Sequence, residues 1–195
     1  MAFTAIKIDE HTKAIESGGD YRTVNPIGYV PALLLDDGTL LTEGAAIVQY
    51  IADQVPSKRL APLNGTIERA KLQAWLNFFS SEMHKGAFGP IFHKGVSEES
   101  KDVFRDRLRT RYTHLDRHLA DHEYLMGKDF TIADANSFAV TTQSDCLAMS
   151  GFRPNRTGQA GLLMSVDRGR PEVSGIRSNR REQPEGDTPA GSRDA

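Results

Sequence analysis

At 195 residues, with 38% hydrophobic and 26% charged side chains, the chain has the composition of a soluble globular protein of one domain or two small ones. A formal charge of −2 leaves no electrostatic footprint for nucleic acid, and no run of about 18 apolar residues is present to span a membrane. The single cysteine, Cys146, excludes an internal disulfide and a CxxC redox pair and points to a reducing cytoplasm.

Met1 to Lys7 lacks the basic-then-apolar order of a secretory signal. Thr4 to Ile8 reads as a short strand, and Glu10 to Ser17 as a weak helix ended by Gly18-Gly19. Asn25-Pro26-Ile27-Gly28-Tyr29-Val30-Pro31 reads as a loop that enters a strand. Pro31 has no N–H, so it belongs at the edge or beginning of a strand, and its X-Pro bond is a candidate for the cis form. Such a position leaves the N–H and C=O of Val30 open to an extended, peptide-like ligand. Ala32 to Leu35 and Thr39 to Leu41 are the arms of a hairpin around Asp36-Asp37-Gly38. Thr42 is placed to cap a helix that carries Ala46, Ile47, Tyr50 and Ile51 at helical spacing. Val55-Pro56-Ser57 ends that helix, and Leu60-Ala61-Pro62 reads as an interdomain linker.

From Thr66 the pattern is helical. Ile67, Ala70, Ala74 and Phe78 lie on one side, and Leu72, Leu76, Phe79 and Met83 on another, which predicts a central helix apolar nearly all round, broken or bent at Gly86 and Pro90. The next helix spans about Glu98 to Asp121, with a core stripe of Phe104, Leu108, Tyr112, Leu115 and Leu119. Its other face alternates Arg with Asp and Glu, the pattern of a solvated face with i,i+4 pairs. His114, His118 and His122 recur every four residues, a spacing a metal can use, but no fourth ligand is evident and no metal is expected. Phe130-Thr131-Ile132-Ala133-Asp134 opens another helix, with Thr131 as N-cap, Asp134 at the third helical position and Phe130 as an apolar staple. Beyond about Gly151 the composition shifts: residues 151–195 hold eight Arg and no Lys, seven Gly and four Pro, without any apolar period, which reads as disordered chain.

Asn-Pro-x-Gly-x-Val-Pro-Ala-Leu, a short hairpin and Thr42-Glu43-Gly44, at this spacing, resemble the glutathione-binding half of the bacterial, beta-class-like glutathione S-transferases. The string Phe130-Thr131-Ile132-Ala133-Asp134-Ala135 resembles the capping motif of their core helix, whose task is folding rather than chemistry. The resemblance implies a fold of α/β plus all-α type: a truncated thioredoxin-like glutathione-binding domain over 1–57, a helical C-terminal domain over 63–150, and an aberrant tail over 151–195 from a shifted reading frame or a degraded gene end. It implies also that the family's first strand and helix, about twenty residues carrying the Cys, Ser or Tyr that contacts the sulfur, are missing before Phe3.

The activity implied is attack of the glutathione thiolate on a small electrophilic substrate, impaired by that loss, with glutathione as co-substrate, no metal, a homodimer and a cytoplasmic setting. The γ-glutamyl carboxylate falls to Gly44 at a helix start, where free N–H groups and the dipole favour an anion, and the ammonium to Glu43. Read alone, a Glu in a first turn is only compatible with the dipole. Lys13 aligns with a lysine that pairs with the glycyl carboxylate, although by itself it reads as a surface residue. Asn77, Ser81, Glu82, Met83, His84 and Lys85 match the string that lines the family's cleft, with Asn77 reaching across the dimer interface and α-helical spacing aligning Asn77, Ser81 and His84. His84 takes the catalytic role, donating a hydrogen bond to the sulfur in favour of the thiolate. The alternatives are a non-catalytic glutathione-binding or dimerisation module and a thiol–disulfide oxidoreductase. The second is disfavoured because no cysteine precedes Val30-Pro31.

Overall fold

A computed structural model of the chain describes residues 3–141, so the reading of 151–195 as a disordered tail and that of Cys146 as an inert thiol lie outside the described residues. The hairpin forms as expected: β1 (Ala32–Leu34) pairs antiparallel with β2 (Leu40–Thr42), with Leu33 opposite Leu41. Gly38, at φ 85°, makes the turn, and the Asp37 carboxylate accepts the Thr39 N–H at 2.8 Å. Helix α1 (Gly44–Asp53) follows at once. Its N-cap is Glu43 rather than Thr42, because the ladder holds Thr42 opposite Ala32 as the last residue of β2.

Two expectations near the N-terminus fail. Asp9 accepts the His11 and Thr12 N–H groups and the Thr12 hydroxyl, at 3.0, 2.7 and 2.9 Å, and so fixes a turn where a helix would begin. Lys13, at φ 64°, reverses the chain, and Ile15 returns to bridge Ile8. Glu10 to Ser17 is therefore not a helix. Thr4 to Ile8 is not a strand either, since only Ile8 finds a partner in a single bridge.

The helical part begins at α2 (Ile67–Asn77), capped by Thr66, whose hydroxyl accepts the Arg69 N–H. The helix then widens into π-helical turns over Phe78–Phe88 before the short α3 (Gly89–Phe92). Gly86 thus does not break the helix. A Cβ there would lie 2.6 Å from the Ser81 carbonyl oxygen, so the wide turn needs glycine at this position. Only one side of this long helix is covered. Leu72, Leu76, Phe79, Met83, Ala87 and Phe88 are buried with Leu108, Tyr112, Leu115 and Leu119 of α4 (Glu98–Asp121) and with Ile132 and Ala133 of α5 (Ile132–Thr141). Ile67 stays 65% exposed, and Ala70 and Ala74 are exposed beside it, so the helix is not apolar-buried all round. The charged face of α4 carries Lys101–Glu98 and Arg105–Asp102 at 2.8 and 2.7 Å, and Arg109–Asp106. These pairs are spaced i,i+3 rather than i,i+4.

Several contacts fasten the mixed part to the helical one. Arg69, buried at the start of α2, grips both oxygens of Asp53 at the end of α1, at 2.8 and 2.7 Å, and donates to the Pro62 carbonyl at 3.0 Å. This holds the Asp53 carboxyl below its usual range, chiefly through the Arg69 hydrogen bonds. Ala52 of α1 joins the helical core, and the Leu60 carbonyl of the linker accepts the Ile132 N–H at 2.9 Å. The start of α5 is built as a reciprocal cap: Asp134 accepts the Thr131 N–H and hydroxyl at 2.9 and 3.0 Å, while the Thr131 hydroxyl accepts the Ala133 N–H at 3.3 Å.

Candidate functional site

The site grows from the loop that precedes β1. Asp20 caps a single tight turn over Tyr21–Thr23 by accepting the Arg22 N–H. Asn25 then closes the next turn, its carbonyl accepting the Gly28 N–H at 2.8 Å. Gly28, at φ 71°, lies under the Lys13 side chain: a Cβ there would meet Lys13 Cε at 3.5 Å. The loop ends in the cis Val30–Pro31 peptide bond expected from the sequence. Val30 is 45% exposed, and among the described residues its N–H and C=O have no backbone partner.

The turn at β2 brings the start of α1 to this loop. A Cβ on Gly44 would sit 3.7 Å from Pro31 Cγ, so the Pro31 ring lies against the helix N-terminus. Ala46 makes the first backbone bond of the helix, to the Glu43 carbonyl at 2.9 Å. The N–H groups of Gly44 and Ala45 precede that bond, where a helix start offers donors to an anion. Glu43 sits at φ 65°, ψ 113°, a region that a residue with a side chain rarely occupies, and its carboxylate is not spent on capping.

The helical part reaches the loop through Lys85, whose ammonium stands 4.6 Å from the centre of the Tyr29 ring. His84 is next to it and half-buried. Burial, and secondarily the Lys85 charge, depress its pKa below the ordinary imidazole value, so the ring is neutral at neutral pH with one N–H to donate.

The rest of the expected string is dispersed. Wide π-helical turns advance each residue by a smaller angle than α turns do, so the spacing that would align Asn77, Ser81 and His84 on one face does not hold. Asn77 is exposed, and its carbonyl accepts the Ser81 hydroxyl at 2.8 Å. Glu82 pairs with Arg111 of α4 at 2.6 Å. Met83 is fully buried, so its side chain faces the core and lines no cleft. The histidine stripe is occupied otherwise: the His118 and His122 rings stack at 4.3 Å, His118 Nε2 meets the Leu125 carbonyl at 3.0 Å, and His114 lies against Trp75 and Phe78. Among the described residues, no group of three His, Cys, Asp or Glu is placed to hold a metal, and no helix is long and apolar enough to cross a membrane. Sequence reasoning passed over Tyr21 and Asn25, which both donate to the Tyr29 carbonyl. The burial of a Tyr and an Asn four residues apart was the signal available, and it shows only in three dimensions.

Comparisons with known proteins show the family and the fold. Residues 1–54 match the model of the glutathione S-transferase N-terminal domain. Glutathione S-transferase GstA of Escherichia coli O157:H7 is 49% identical over 139 residues, which are 71% of this chain and 68% of that protein. Glutathione S-transferase GST-4.5 of Xanthomonas campestris is 36% identical over 61% of each chain. Among solved structures, BphK, a bacterial glutathione S-transferase in a ternary complex, superposes with a TM-score of 0.77 at 44% identity, over 88% of this chain and 84% of its own. A beta-class glutathione S-transferase of Sphingomonas chungbukensis gives 0.75 at 40% identity, over 86% and 81%. The chain belongs to the glutathione S-transferase family. Its fold is the family's own, with the hairpin and α1 in a thioredoxin-like part and α2 to α5 in the helical part.

Proposed function

We propose that the chain binds glutathione along the Val30 backbone and the start of α1, and joins its thiolate to an electrophilic carbon of a small substrate, the new C–S bond forming as the leaving group on that carbon departs with its electron pair. The observation that carries this reading is the meeting of three features: the unpaired Val30 backbone, the helix N-terminus laid against Pro31, and Lys85, the sequence neighbour of His84, held over the same loop through Tyr29. Val30 pairs with the cysteinyl residue as one strand pairs with another. Gly44 receives the γ-glutamyl carboxylate at the helix start, and Glu43, with its carboxylate uncommitted, receives the ammonium. Lys13, lying along Gly28, receives the glycyl carboxylate. Asn77, Ser81 and Glu82 of the central helix share no face with His84 and take no contact in this reading, and Met83 packs behind them in the core.

His84 donates its imidazole N–H to the sulfur. A free thiol of pKa about 8.5 is mostly protonated at neutral pH, so lowering that value by one or two units raises the thiolate population about tenfold or more. Two copies assemble as a homodimer over the exposed Ile67, Ala70 and Ala74 side of α2, to which Asn77 adds a polar contact; the protein is cytoplasmic and detoxifying. The test is glutathione conjugation to an activated aryl halide by the full chain. His84→Ala should lower the turnover number about tenfold to a hundredfold and leave the KM for glutathione within a few-fold. A rate unchanged by that substitution refutes the role of His84, and the absence of any glutathione-dependent rate refutes the activity.

A further inference from the structure

We infer that Tyr21 and Asn25 are positioning residues of the glutathione site, which hold the Tyr29–Val30 peptide plane so that the Val30 N–H faces the bound peptide. The inference rests on the glutathione reading above and concerns how the site is held in register. The Tyr21 hydroxyl and the Asn25 amide both donate to the Tyr29 carbonyl, at 2.9 and 2.8 Å. Both donors come from buried residues, 5% and 3% exposed.

That carbonyl shares its peptide unit with the Val30 N–H, and in a trans peptide the two point in opposite directions. Drawing the oxygen inward onto two buried donors therefore turns the N–H outward, to the side where Val30 is exposed. One donor would satisfy the oxygen; two, arriving from different side chains, also fix the rotation of the plane. The clamp is itself braced. Asn25 Oδ1 accepts the Ile27 N–H at 3.3 Å, which orients the amide, and the Asn25 N–H donates to the Tyr21 carbonyl at 2.9 Å, which ties the two donors together. Hydrogen bonds to the oxygen of an amide also polarise it and strengthen its N–H as a donor.

Calorimetric titration of the full chain compares glutathione with an analogue in which an alkene replaces the cysteinyl–glycine peptide bond and so offers the Val30 N–H no carbonyl. Tyr21→Phe should bind glutathione about threefold to tenfold more weakly than the unmodified chain, the range expected for one hydrogen bond. It should bind the alkene analogue as tightly as the unmodified chain does. In conjugation, its KM for glutathione should rise while the turnover number at saturation stays within about twofold, the pattern of a contact made equally before and during reaction. Asn25→Ala, which removes the donor without setting a second acceptor against the carbonyl, should behave in the same way and supplies the test if Tyr21→Phe fails to fold. Equal losses for both ligands, or full glutathione affinity in both variants, would overturn the inference. An unmodified chain that binds neither ligand would instead overturn the glutathione reading itself.

Discussion

Replacing Asp134 with Ala asks whether the start of α5 serves folding or chemistry. The side chain is wholly buried, and its two oxygens accept the Leu125 N–H at 2.8 Å, the Thr131 N–H at 2.9 Å and the Thr131 hydroxyl at 3.0 Å. Burial pushes the carboxyl up from its usual range, and the three donors pull it back. Alanine leaves two backbone N–H groups buried without acceptors, at about 1–3 kcal/mol each, while the hydroxyl can rotate to another partner. Relief of the buried charge offsets part of this, so the net loss should be about 2–4 kcal/mol, a large share of a total stability of about 5–15 kcal/mol. With a urea slope of about 2 kcal/mol per molar, the unfolding midpoint followed by circular dichroism should fall by about 1–2 M. Asp134→Asn should lie between the two, since its amide oxygen can serve Leu125 but its NH2 meets the Thr131 N–H donor to donor. A loss below about 1 kcal/mol in the alanine variant, or lost conjugation at full stability, would refute the reasoning.

Gly86→Ala should cost about 1–3 kcal/mol in a thermal or urea melt, because its Cβ would lie 2.6 Å from the Ser81 carbonyl oxygen of the π-helical turn. Glu43→Gly should stabilise the fold by about 0.5–1 kcal/mol by relieving the positive φ, yet weaken glutathione binding about tenfold or more, seen by comparing melts with titrations. His118 is held below the ordinary imidazole range by burial, against the raising effect of its bond to the Leu125 carbonyl. The unfolded chain therefore takes up the proton first as pH falls, so the stability His118 contributes is complete above about pH 6.5 and is lost on acidification below it. Urea midpoints at pH 8 and pH 5 should show the parent losing more stability than His118→Gln over that interval. Equal losses would contradict the assignment.

The elements that were legible in the sequence are those fixed by local chemistry. Asp37-Gly38 between apolar runs specifies the hairpin, Thr131 specifies a cap, and the spacing of Leu108, Tyr112, Leu115 and Leu119 gives the buried stripe of α4. Thr131-x-x-Asp134 was readable because a reciprocal cap needs only residues three apart. What was not legible depends on competition between local options. Asp9 had a turn available that outcompetes the weak helical preference of Glu10 to Ser17, and no apolar period marks which one wins. The π-helical turns are invisible to a count in threes and fours, and they took Asn77, Ser81 and His84 out of line. Within the candidate site, the motif spacing singled out Val30, Glu43 and Gly44, and the fold lays Gly44 against Pro31. The convergence of Tyr21 and Asn25 on one carbonyl was not, since it depends on the path of the loop between them.

The central claim is that glutathione lies across the Val30 loop and the start of α1 with its sulfur toward His84. Titration of the isotope-labelled full chain with glutathione, followed by nuclear magnetic resonance, tests it at each atom invoked. The amide signals of Val30, Gly44 and Ala45 and the imidazole signals of His84 should shift together along one binding curve, while the amide of Val103, exposed on α4, stays still. Shifts confined to other surfaces, such as the His114–His122 stripe, or none at saturating glutathione, would contradict the account.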